Sequence, residues 1–156
     1  MTYFQQLPLP AGAQDLKQWG QLQGAALPFA LADLVQRQPG LYLVLVPDTP
    51  TALRLEQELQ VFLQDDLAQN PALLQVFPDW ETLPYDVFSP HQDIISQRIQ
   101  TLYRLPQLKT GLVLVPVSTA MLRLNQPDWL QQHSLWLEKG QQLDLTSLRA
   151  QLAAVG

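Results

Sequence analysis

The chain has 156 residues, 47 % of them hydrophobic and 15 % charged, with a formal net charge of −5. That length and apolar content suit one core-forming domain with the beginning of a second, and the acidic balance gives no long-range attraction to a phosphate backbone, so unaided DNA binding is not expected. The lack of cysteine excludes disulfides, thiolate metal ligands and cysteine nucleophiles.

The opening MTYFQQLPLP shows no basic-then-apolar signal, and no run approaches the ~18 apolar residues of a membrane span, so the expected location is cytoplasmic. Residues 1 to 20 hold Pro8, Pro10, Gly12 and Gly20 and read as an irregular lead-in, with a short helix near Asp15 to Trp19. Residues 26 to 38 read as a helix: Leu27, Leu31, Leu34 and Val35 form a stripe that Phe29 and Ala30 widen, and Pro39-Gly40 stops it. LYLVLV (41–46) is an uninterrupted apolar run of strand length, as in a strand covered on both faces. A helix follows, with Thr49 as the expected N-cap, Pro50 at the first helical position, and Leu55, Leu59 and Phe62 toward the core. Asp65-Asp66 then falls near its end, an unfavourable place for carboxylates.

ALLQVF (72–77) is the second expected strand. After a proline-bearing linker, Ser89-Pro90-His91-Gln92 predicts a capped helix start, with Ile95, Ile99 and Leu102 down one face and Arg98 and Arg104 in solvent. LVLVPV (112–117) is the third strand, ending near Pro116, and Ser118 is expected to cap a short helix holding Ala120, Met121 and Leu124. Trp129 and Leu130 are expected over a core edge, and SLWLE (134–138) as a weaker fourth strand. Asp144 is expected to cap a last helix with Leu145, Leu148 and Leu152. Alternating strands and helices predict an α/β fold with a parallel sheet covered on both faces. No strand precedes the first helix and no closing element follows the last, as in a piece of a longer protein.

Two segments carry candidate chemistry. The first, Gln21 to Pro28 (QLQGAALP), has the register of a phosphate loop, GxxxxGK[ST], with its key positions altered. Gly24 remains within it; Gln21 stands at the first glycine, Ala26 at the next, Leu27 at the lysine and Pro28 at the magnesium-binding hydroxyl. Leucine brings no charge to a triphosphate, and proline lacks both a hydroxyl and the backbone N–H that helix starts use to catch anions. The pattern alone fits a plain helix entry equally well. An unusual nucleotide site would have to use Gly24, Asp48 and Arg98, although Asp48 more simply caps the following helix.

The second segment, Asp79 to Asp93, holds three aromatics, four acids and one histidine. Pairing His91 with Glu81 or Asp86 would give an acid and a base but no nucleophile. As a recognition surface it would use Trp80, Glu81, Tyr85, Asp86 and His91; as a DNA-binding module, the alternative role, it would use the aromatics from Trp80 to Phe88 and bind with strong salt dependence. As plain structure, Trp80, Leu83, Tyr85 and Phe88 would fasten a proline-stiffened linker to the sheet edge. His91 and His133 lie far apart and outside any metal-ligating spacing, so no metal site is expected.

The stretch DWETLPYDVFSPHQDIISQRIQTLYRLP (79–106), with LVLVPVSTAMLRL (112–124) and LQGAALPFALADL (22–34), resembles the N-terminal UvrB-like region of the bacterial transcription-repair coupling factor family. The resemblance covers nearly the whole chain. It implies a helicase-like, P-loop NTPase-like α/β domain over residues 1–128 with a degenerate phosphate loop. Residues 129–156 would open a truncated second domain, the one mainly associated with recruiting the damage-recognition protein UvrA. It implies a scaffold in transcription-coupled nucleotide excision repair that has no catalytic residues and no cofactor of its own, and that helps restrain the motor. The parent would be an ATP-dependent DNA translocase that removes stalled RNA polymerase. Its Mg-ATP-driven motor and its contacts with polymerase and DNA would lie elsewhere. Carried over from UvrB, the phosphate-loop glycines fall on Gln21, Gly24 and Ala26, the lysine on Leu27 and the threonine on Pro28.

Overall fold

The computed structural model describes residues 7–12, 14–82, 87, 89–133, 140 and 142–155. Three strands, β1 (Leu41–Val46), β2 (Leu74–Val76) and β3 (Gly111–Pro116), form a parallel sheet in the order β1-β3-β2. Leu43 lies opposite Val113, Leu45 opposite Val115, and Leu74 opposite Leu112. Parallel neighbours need crossovers, and helices supply them. α1 (Ala26–Arg37) precedes β1; α2 (Thr49–Phe62) and α3 (Gln64–Gln69) lead to β2, and α4 (Gln92–Arg104) leads to β3. α5 (Val117–Ala120), α6 (Pro127–His133) and α7 (Leu145–Val155) follow. The parallel α/β arrangement expected from the alternating pattern is present. The expected strand at 134–138 lies outside the described residues. No helix among the described residues is long and apolar enough to cross a membrane.

β3 is buried along its whole length and divides its side chains between two cores. Leu112 and Leu114 join Leu31, Leu34 and Val35 of α1 and Leu55 and Leu59 of α2. Val113 and Val115 face the other way, against Phe77, Leu102 and Leu105. Each fully buried leucine or valine stabilises by about 1.5–3 kcal/mol, so β3 is the spine of the domain. β1 is different. Tyr42, Val44 and Val46 meet the first core, but Leu41, Leu43 and Leu45 are exposed, Leu43 at 63 %. The reading of β1 as covered on both faces is therefore corrected: Leu102 of α4 packs against Val113 and Val115 of β3 and against Phe77, just after β2, and the alternate leucines of β1 are left bare.

The helix boundaries follow local chemistry, with several shifts from the sequence reading. Of the two cap candidates, Asp48 caps α2, in line with one reading of it, and Thr49 does not: the Asp48 carboxylate accepts from the Thr51 N–H at 2.8 Å, and Pro50 sits at the second helical position. Leu63, fully buried, interrupts the helix. Phe62 points outward and meets Phe29 edge-on, with ring centroids 5.7 Å apart. Asp65 and Asp66 thus open α3, where the helix dipole favours carboxylates, and are not stranded at the end of α2. α4 starts at Gln92, capped by His91 and not by Ser89. Its most buried residues are Arg98 and Thr101, while Ile99 is 41 % exposed.

No helix forms near Asp15 to Trp19; Asp15 instead accepts from the Ala11 N–H, and Trp19 and Leu9 pack against the first core. Met121 and Leu124, expected within the short helix, lie beyond α5 and are exposed, and of the pair Trp129 and Leu130 only Leu130 is buried. Asp144 receives the Thr146 and Ser147 N–H groups, as an N-cap of α7 should, but Leu145 and Leu152 remain exposed.

Candidate functional site

The head of α1 decides what the Gln21–Pro28 segment can bind. Gln21 and Gly24 both take positive φ, +58° and +56°, and turn the chain into the helix. The cap position is Ala25, which has no side-chain oxygen to offer. The Ala26 N–H is already used by the Gln23 carbonyl at 3.1 Å, and Pro28 has none, which leaves the Leu27 N–H in the first turn among the described residues. A phosphate cradle needs several converging N–H groups and a cation. Here Leu27 lies 41 % exposed at the surface and Pro28 is fully buried. The segment borders a pocket of about 370 Å³ between α1, the C-terminal end of β1 and α2. Its walls are apolar, from Leu22, Leu27, Leu31 and Val44, with Thr51, Arg54 and Glu58 contributed by α2. Arg54 and Glu58 stand 4.0 Å apart as a weak surface pair. Gly24 lines this pocket; Asp48 and Arg98 do not.

The linker after β2 is fastened by a residue that the sequence reading placed in solvent. Arg98 is 3 % exposed. Its guanidinium lies between two aromatic faces, 4.3 Å from the Phe77 ring centre and 4.2 Å from that of Trp80, and donates to the Pro78 carbonyl. A planar, weakly hydrated cation tolerates such a dry slot where an ammonium would not. Burial lowers its pKa from the ordinary arginine value and nearby Asp79 offsets only part of that; a guanidinium is basic enough to stay charged.

Asp79 is itself held tightly: it accepts from the Ser118 hydroxyl at 2.7 Å and from the Trp80 N–H at 2.8 Å. Burial favours its neutral form, but those hydrogen bonds, Thr119 and the Arg98 charge outweigh burial and keep its pKa below the usual carboxylate range. Thr119 is 1 % exposed, and its hydroxyl has no partner at good hydrogen-bond geometry among the described residues. Ser118 therefore ties α5 to the linker and does not cap α5, whose N-cap is Pro116.

Of the residues proposed for recognition, Trp80 is half-buried in this stack and Glu81 is exposed with a positive φ of +57°. His91 is exposed, its Nδ1 accepting from the Asp93 N–H at 3.3 Å. Tyr85 and Asp86 lie outside the described residues. The signal for Arg98 was present in the chain: an arginine in line with Ile95 and Leu102 on α4, and an aromatic pair three apart flanking Pro78.

No family model matches the chain. Comparison with characterised proteins is decisive on kinship. The Transcription-repair-coupling factor of Escherichia coli is 45 % identical over 150 residues, 96 % of this chain, and that of Haemophilus influenzae is 39 % identical over 155 residues, 99 % of it. The chain is a homologue of a segment of the transcription-repair-coupling factors. It spans only 12 % of the E. coli factor and 13 % of the H. influenzae factor. The Rickettsia prowazekii coupling factor is 30 % identical over 83 residues. Over nearly all of its length, then, the chain corresponds to a small part of the coupling factors.

Proposed function

We propose that this chain acts as a non-catalytic scaffold and interaction module of a coupling factor in transcription-coupled repair, on a helicase-like frame whose phosphate loop has decayed. What supports this reading is the head of α1, where Leu27 and Pro28 offer neither charge nor hydroxyl, in a chain similar to the coupling factors over nearly its full length. In this proposal residues 1–128 form the helicase-like domain and residues 129–156 open a second domain. ATP hydrolysis, DNA translocation and release of stalled RNA polymerase belong to other parts of the whole protein. The module helps recruit UvrA and helps restrain the motor through contacts within the whole protein.

UvrA recruitment is tested by pull-down of purified UvrA with this chain and with a version extended through the whole second domain. Capture by the extended version, with weaker or no capture by this chain, is expected. Failure of both to retain UvrA at micromolar concentrations would refute the recruiting role.

A further inference from the structure

We draw no further inference here: the strongest candidate, the row of exposed leucines Leu41, Leu43 and Leu45 that α4 leaves bare on the outer strand β1, carries none because nothing in the structure shows what covers it.

Discussion

Removing the guanidinium of Arg98 should destabilise the domain more than any other single surface-to-core polar change in the described fold. Arg98→Ala loses two desolvated cation–π contacts, together worth ~2 kcal/mol or more. It also loses a charged hydrogen bond to the Pro78 carbonyl, worth ~1.5–3 kcal/mol, and opens a slot between Phe77 and Trp80. These contributions overlap, and loss of the positive charge near partly buried Asp79 adds to them, so a net loss of about 3–5 kcal/mol is expected. That is a large share of the ~5–15 kcal/mol that holds a typical domain together, and corresponds to a fall in melting temperature of roughly 10 °C.

Arg98→Lys keeps the charge but not the plane that stacks, and should fall between wild type and alanine. Urea unfolding of the three proteins measures the losses. A cycle with Trp80→Ala isolates the stack, and a coupling of about 1 kcal/mol or more is expected. If Arg98→Ala costs under ~0.5 kcal/mol, or the two substitutions simply add, the guanidinium is not clamped between the rings and the account of the linker is wrong.

Two other consequences bear on the same frame. A Cβ on Gly111 would lie 2.6 Å from the Leu73 carbonyl oxygen, at a φ of +136° that other residues avoid. Gly111→Ala should therefore cost about 3 kcal/mol or more, and a melting curve that overlays wild type would show that β3 does not start against Leu73 as described. Folding holds the Asp79 carboxyl below the ordinary aspartate range, so its contribution is present above the unfolded pKa and is lost as pH falls through the folded pKa. Asp79→Asn should accordingly narrow its stability deficit against wild type as pH drops below about 4; a deficit unchanged down to pH 2 would mean the carboxylate charge contributes nothing.

The parts of this fold that the sequence made legible are those where one physical demand dominates. LYLVLV and LVLVPV are apolar runs of strand length separated by amphipathic helices, and a parallel sheet is the economical way to pack them. The same runs hid an asymmetry. A continuous apolar strand signals two covered faces, but cover depends on where α4 lands, and it lands on Phe77, Val113 and Val115 and not on Leu43.

Helix starts were located to within a residue or two, because Asp48 and Thr49 compete for one cap, as do Ser89 and His91 for another. Arg98 was misplaced for a different reason. Charge argues for solvent unless a specific slot exists, and that slot is built by Phe77 and Trp80, some twenty residues upstream. Leu27 and Pro28, at the head of α1, carry neither charge nor hydroxyl in any conformation.

The most direct test of the central claim is calorimetric titration of the purified chain with Mg-ATP. A helix head with neither lysine nor hydroxyl, and with no N–H on Pro28, should give no saturable heat up to millimolar nucleotide. Saturable micromolar binding that is abolished by closing the Gly24–Pro28 turn, for instance with Gly24→Val, would contradict the account outright.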